Sequence, residues 1–143
     1  MSPDAEARDV LRISVGSIER RLGESVSFLE AQDGERGARI GLRERPDAVV
    51  ADEIASRAGA FSLARDLRGA VEPYRGPIVI VLERKHDAWL ARWSGADAWL
   101  VQPVDPFELA DRLVELIQAH RARRAERPGE QPREQPKEQR EIA

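Results

Sequence analysis

Two short apolar runs constrain the fold of this chain most. The first is Ala48–Ala51 and the second is Ile78–Leu82, and neither alternates with polar residues. Runs of this length are too short for buried helices and fit strands that are covered on both faces, as in a parallel sheet beneath helices. Asp52 ends the first run, at the carboxyl edge where open α/β sheets bind ligands. Asp52 is therefore the first candidate site residue.

The remaining sequence alternates between predicted helices and predicted strands. Helices are predicted over 3–22, Glu35–Arg45, around Phe61, Ala64 and Leu67, over Asp87–Trp93 and from Asp105 onward, and strands at Ser25–Ala31, Asp47–Asp52, Ile78–Leu82 and Ala98–Val101. A strand through Leu11, Ile13 and Val15 is the competing interpretation of the first helix. The alternation implies right-handed crossovers and predicts an α/β, doubly wound parallel sheet with helices on both faces.

Composition excludes several classes of function. With 143 residues, 41% apolar and 34% charged, the chain has room for one domain and has no apolar run near the roughly 18 residues of a membrane span. A net charge of −3 gives no general attraction to nucleic acid. Cysteine is absent and histidine occurs twice, which disfavours disulfides and a histidine-rich metal site. No leader is apparent at the acidic N-terminus, so a cytoplasmic protein without membrane or nucleic-acid partners is expected.

The chain changes character after residue 124. Prolines recur every fourth residue in a P-x-E-Q pattern, at Pro128, Pro132 and Pro136. This stretch has too few apolar side chains to offset the entropy of ordering. Residues 1–124 are therefore predicted to form the domain, and residues 125–143 a disordered low-complexity tail, either a solvated tether or, less favoured, a docking motif.

Four segments in order resemble a known family. They are Arg45–Asp52, Gly76–Leu82, Gly95–Trp99 and Gln102–Leu109. From about Ser25 to His120 the chain resembles the receiver domain of two-component response regulators, which has a flavodoxin-like, doubly wound fold. In that family a phosphate-accepting aspartate ends the third strand. The resemblance places Asp52 at that position and makes it the phosphoacceptor candidate.

The departures from the family bear on mechanism. A working receiver surrounds its aspartate with two acids that hold Mg²⁺, a Ser or Thr after the fourth strand and a Lys after the fifth. Here the family's first strand and acidic pair are apparently missing, and whether Met1 is the true start stays open. The hydroxyl position falls on Leu82 or Glu83, and the lysine position is Gln102. These degenerate positions imply weak or no phosphorylation at Asp52, no metal site, and Mg²⁺ as a cofactor only if Asp52 does work.

The three tryptophans lie in the region through which this family communicates with other proteins. Trp89 and Trp93 are four residues apart on a predicted short helix, and Trp99 lies on the following strand. Ala88, Ala91 and Ser94 share another side of that helix and are small enough to approach a sheet closely. The tryptophans either form an interface or fill the core, and both interpretations stay open.

These observations favour an atypical receiver-type signalling domain in a two-component phosphorelay. Its partner is expected to be a signalling protein or a second copy of the chain, and no enzyme activity is expected. The main alternative is a functional phosphoacceptor that uses Asp52. A small α/β enzyme is less favoured, because the sequence has no Gly-rich phosphate loop, nucleophile elbow or metal-ligand cluster.

Overall fold

A parallel sheet flanked by helices forms the fold. The computed structural model describes residues 1–53, 59–126 and 139–142. In chain order the elements are α1 Ala5–Gly16, α2 Glu19–Leu22, β1 Val26–Leu29, α3 Gly34–Glu44, β2 Ala48–Asp52, α4 Ala60–Gly69, β3 Ile78–Leu82, a short 3-10 helix Lys85–Asp87, α5 Ala88–Ser94, β4 Ala98–Val101, α6 Pro106–Ala125 and β5 Gln139–Ile142. The strand order is β1-β5-β2-β3-β4, and all neighbouring strands are parallel. The doubly wound parallel sheet predicted from the sequence is confirmed.

Alternate residues of the central strands β2 and β3 pack into two separate hydrophobic cores, one on each face of the sheet. Val49 and Ala51 of β2 pack beneath α4 and α5 together with every second residue of β3, namely Ile78, Ile80 and Leu82. Leu63 and Leu67 of α4 are fully buried in this core. Ala48 and Val50 face the opposite core, which α1 and α6 cover with Val15, Leu109 and Leu113 among others. Because both faces are covered, β2 and β3 are buried along their whole length.

The predicted elements agree with the structure within a few residues at their ends. The helix interpretation of residues 3–22 is confirmed, although the segment forms two helices that are separated at Ser17 and Ile18. The first helix is capped by Asp4, whose side chain accepts a hydrogen bond from the Glu6 N–H at 3.0 Å. In α4 the inward positions are Leu63, Ala64 and Leu67, and Phe61 is only partly buried.

The glycines of α3 allow this helix to pack closely against α4. Gly37 and Gly41 are buried. A Cβ atom on Gly37 would lie 3.2 Å from both terminal methyl groups of Leu63, so α3 approaches α4 closely at this point.

Part of the segment predicted to be a tail lies against the sheet. Gln139–Ile142 forms β5, which lies between β1 and β2. Residues 127–138 fall outside the described residues, so the division into a domain over 1–124 and a tail over 125–143 stays a prediction. Local sequence patterns did not indicate β5, because strand pairing joins segments that are distant along the chain.

Arg68 joins three segments at the amino edge of the sheet, where β3 and β4 begin. Its guanidinium donates to the carbonyl oxygens of Gly95 at 3.0 Å and Tyr74 at 2.6 Å, and to Oδ2 of Asp97 at 2.8 Å. The same Asp97 oxygen accepts from the Ile78 N–H at 2.8 Å. The network holds α4 against the segments that lead into β3 and β4.

We expect Arg68→Ala to destabilise the protein by about 2 kcal/mol, because it removes several hydrogen bonds to a charged donor. Chemical denaturation of the variant measures this loss. Arg43→Ala is the matched control, since Arg43 is largely exposed and its recorded ion pair is with the adjacent Glu44. Equal midpoints for the Arg68 and Arg43 variants would contradict the expectation.

Candidate functional site

Backbone pairing holds Asp52 in place at the end of β2. The Asp52 N–H donates to the Met1 carbonyl oxygen at 2.9 Å, and the Glu53 N–H donates to the Val81 carbonyl oxygen at 2.8 Å. The side chain of Asp52 is almost completely buried, since the residue is only 3% exposed. The sequence prediction of a carboxylate at the carboxyl end of a buried strand is confirmed.

The Asp52 carboxylate has few hydrogen-bond donors. The hydroxyl of Ser2, which is itself buried, donates to Oδ2 at 3.3 Å. Oδ1 has no hydrogen-bond partner within the described residues. Buried carboxylate oxygens are nearly always hydrogen-bonded, so this orphaned oxygen marks Asp52 as an unusual group in the molecule.

Burial raises the pKa of Asp52, because desolvation disfavours the charged form. The Ser2 hydroxyl, the Met1 ammonium group and the Gln102 side chain oppose this rise, and the negative charge of Glu83 adds to it. The Met1 ammonium is buried and donates to the Val50 carbonyl oxygen at 2.5 Å. Its own burial lowers the pKa of the Met1 amine to about 4, so at neutral pH it gives Asp52 little positive charge.

The structure separates the two candidates for the hydroxyl position. Leu82 is fully buried and packs in the core beneath α4 and α5. Glu83 is exposed, its charge acts on Asp52, and its N–H donates to Oε2 of Glu53 at 3.4 Å. Burial also raises the pKa of Glu53, and the charges of Asp87 and Glu83 contribute to that rise. Of the two residues that the resemblance assigns to the hydroxyl position, the exposed one is thus a carboxylate, Glu83, and it lies beside the carboxylate of Glu53.

Gln102 stands at the predicted lysine position beside the site. It follows β4, and its N–H donates to the Leu82 carbonyl oxygen at 2.8 Å. The side chain is exposed and favours the ionised form of Asp52 without carrying a charge. An amide can donate a hydrogen bond to a phosphoryl oxygen but cannot neutralise it.

The described residues around Asp52 do not form a magnesium site. Mg²⁺ prefers carboxylate and water oxygens in octahedral geometry. Within residues 1–53, 59–126 and 139–142, no group of three or more acidic or histidine side chains is placed to hold a metal ion. Ser2 and the Met1 amine, which sequence reasoning did not identify as site residues, occupy the space beside the carboxylate. No motif signalled them, since their proximity follows from the tertiary fold alone.

The three tryptophans divide between surface and core. Trp89 is 65% exposed and Trp93 is 59% exposed, because Ala91 and Ser94 take the buried side of α5 as predicted. The Arg65 guanidinium lies 3.9 Å from the ring centroid of Trp93. Trp99 is partly buried against the core beneath α4 and α5, and Arg92 lies over its ring at 5.5 Å. We call Trp89, Trp93 and Arg65 the tryptophan surface.

No helix among the described residues is long and apolar enough to cross a membrane.

Comparison with known proteins identifies relatives and structural neighbours. No family model matches the chain. Two proteins of Mycobacterium tuberculosis, from strains CDC 1551 / Oshkosh and ATCC 25618 / H37Rv, are 30% identical to it over 94 residues. The match covers 66% of this chain and 70% of each relative, and both are named "uncharacterized response regulatory protein".

Solved structures share the fold. A putative response regulator from Chloroflexus aurantiacus superposes with a TM-score of 0.69 at 20% identity, covering 82% of this chain and 93% of its own. The receiver domain of a Pseudomonas aeruginosa sensor histidine kinase, solved with a magnesium ion coordinated in the active site cleft, has a TM-score of 0.60 at 24% identity. That match covers 77% of this chain and 90% of the neighbour.

We expect Asp52→Asn to raise the melting temperature at pH 8. Because the pKa of Asp52 is raised on folding, the folded protein binds this proton more tightly than the unfolded chain does. The ionised carboxylate therefore costs stability above its folded-state pKa, and this cost disappears as the pH falls below the ordinary aspartate range. Melting curves of both proteins from pH 4 to pH 8 should converge at the acidic end.

Asp66→Asn is the matched control, since Asp66 is an exposed aspartate on α4. A melting temperature for Asp52→Asn that is lower than that of the parent at pH 8 would contradict the expectation.

Proposed function

This chain belongs to the response regulatory proteins of two-component systems and has their receiver fold, and from that premise we propose that it signals mainly through protein–protein contacts. In this proposal phosphorylation at Asp52 is weak or absent, and the domain performs no catalysis of its own. It acts on a signalling protein or on a second copy of itself.

One observation carries the proposal: within residues 1–53, 59–126 and 139–142, no side-chain cation compensates the charge of the buried Asp52 carboxylate. A phosphoryl group on Asp52 would bring further negative charge to a position that already experiences the field of Glu83. Phosphoryl transfer depends on cations that neutralise the transferring group. Gln102, at the position of the family's lysine, has no charge to contribute.

The tryptophan surface supplies the proposed contact area. Large aromatic side chains and arginine are enriched at protein interfaces, where they bury much area for little loss of side-chain entropy. Trp89 and Trp93 lie on one exposed side of α5, and Arg65 stacks on Trp93 from α4. Because Arg65 already restricts the Trp93 ring in the free protein, less side-chain entropy is lost when a partner binds.

A functional phosphoacceptor is the second candidate, and the orphaned Oδ1 of Asp52 favours it. A buried carboxylate oxygen without a hydrogen-bond partner among the described residues is free to act as a nucleophile or to receive a ligand. The magnesium-bound Pseudomonas neighbour has the same fold. The two candidates differ in whether Asp52 accepts a phosphoryl group at all.

Incubation with acetyl phosphate and Mg²⁺, followed by intact-mass measurement, tests the first part of the proposal. We expect fewer than about a tenth of the protein molecules to carry a phosphoryl adduct. Without neutralising charge, the activation free energy of phosphoryl transfer rises by about a few kcal/mol, which lowers the rate by orders of magnitude. A responsive receiver domain from another protein serves as the positive control. A stoichiometric adduct that disappears in Asp52→Asn would establish the phosphoacceptor function instead.

The double substitution Trp89→Ser and Trp93→Ser tests the tryptophan surface. We expect it to abolish concentration-dependent self-association in sedimentation velocity and to leave the melting temperature within a few degrees of the parent, since both side chains are exposed. Phe107→Ser is the matched control, because Phe107 is 80% exposed on a different helix. Equal association of all three proteins would rule out this surface as the contact between copies.

A further inference from the structure

The outer side of α1 carries two large apolar side chains and two acids in one stripe. Val10 is 55% exposed and Ile13 is 77% exposed, and the acids Glu6 and Asp9 are exposed beside them. The four positions are spaced by three or four residues, so they lie on one side of the helix over roughly 10 Å. Neither acid forms an ion pair within the part of the chain that the structure describes. We call these four residues the acidic stripe.

The tryptophan surface combines exposed aromatic rings with positive charge. Arg65 lies over the ring of Trp93, and Arg92, which is exposed on the same helix, lies over the ring of Trp99. Neither arginine forms an ion pair within residues 1–53, 59–126 and 139–142. The neighbouring acid Asp66 lines a groove beside α3 instead. The tryptophan surface is therefore basic, although the chain as a whole has a net charge of −3.

The two surfaces complement each other in polarity and in charge. The apolar side chains of the acidic stripe match the exposed rings, and its two carboxylates match the two guanidinium groups. If either surface were paired with the same surface of another copy, like charges would be brought together, which opposes binding. The acidic stripe and the tryptophan surface therefore fit each other better than either fits itself.

The sheet keeps the two surfaces apart within one molecule. The helices α1 and α6 cover one face of the sheet, in the core that contains Leu11 and Leu109. The helices α4 and α5 cover the opposite face, in the core that contains Leu63 and Ala91. Each surface lies on the outer side of its helices, so the two point away from each other. They meet only when they belong to different molecules.

We propose that the acidic stripe of one copy of the chain docks on the tryptophan surface of a second copy, in a head-to-tail contact. The inference rests on the proposed function, whose contact area it uses, and it names what that area binds. Because the two halves of the contact differ, a dimer keeps one free surface of each kind, and further copies add to it. The contact is small, which places it among weak and transient interfaces.

Mixing two variants in sedimentation velocity tests the head-to-tail arrangement. The stripe variant is Val10→Gln with Ile13→Gln, since glutamine keeps the helix propensity, and the tryptophan variant is Trp89→Ser with Trp93→Ser. We expect each variant alone to associate at least about tenfold more weakly than the parent. An equimolar mixture should form dimers and nothing larger, because each variant supplies the surface that the other lacks.

Val71→Gln is the matched control for the stripe variant. Val71 is fully exposed and lies after α4, outside both surfaces, so this variant should associate as the parent does. The melting temperatures of all variants should stay within a few degrees of the parent, because every substituted side chain is exposed.

Charge reversal provides the second measurement. We expect Glu6→Arg with Asp9→Arg to weaken association with the parental tryptophan surface at least about tenfold. A protein with Arg65→Glu and Arg92→Glu should bind this reversed stripe more tightly than it binds the parental stripe, because the opposite charges are restored.

Three results would overturn the head-to-tail contact. If the stripe variant associates as strongly as the parent while the tryptophan variant does not associate, the tryptophan surface binds something else, and the proposed function stands. A mixture that stays monomeric would exclude the arrangement in the same way. A parent that is monomeric at every concentration would exclude a second copy as the ligand and leave another signalling protein as the partner in the proposed function.

Discussion

The parallel pairing of β2 with β3 is the interaction on which the rest of the structure depends. Val49, Val50, Ala51 and Asp52 lie opposite Ile78, Val79, Ile80 and Val81. Because both strands are apolar on both faces, they need helices above and below, and alternate residues divide the interior into two cores. The same pairing ends at Asp52 and sets where the carboxyl edge of the sheet lies.

At that edge lies a buried carboxylate whose described neighbours neutralise it only in part. Burial raises the pKa of Asp52, and Glu83 adds to the rise, while the hydroxyl and amide groups around it partly oppose it. The receiver fold is thus combined with Glu83 and Gln102 beside Asp52. Fold and function are separable in this way because the sheet depends on apolar burial, whereas the site depends on a few side chains at loop positions.

The exposed tryptophans follow from the same packing rule as the core. The small residues Ala91 and Ser94 let α5 sit close to its neighbours, and the helical repeat then turns Trp89 and Trp93 outward. The two tryptophans are exposed because the small residues occupy the buried side of the helix. Trp99, on a strand, is instead drawn partly into the core.

The sequence by itself determined the strands, helices and the place of Asp52, because periodicity and short apolar runs are local properties. It also indicated that Glu83 and Gln102 lie at the carboxyl edge of the sheet, since both follow their strands directly. Only the tertiary structure decided which groups surround Asp52, since Ser2 and Met1 are about 50 residues away along the chain. Only the tertiary structure, likewise, placed Gln139–Ile142 between β1 and β2. The tail was predicted to be disordered because it has too few apolar side chains, and its pairing with two distant strands is not a local property of the sequence.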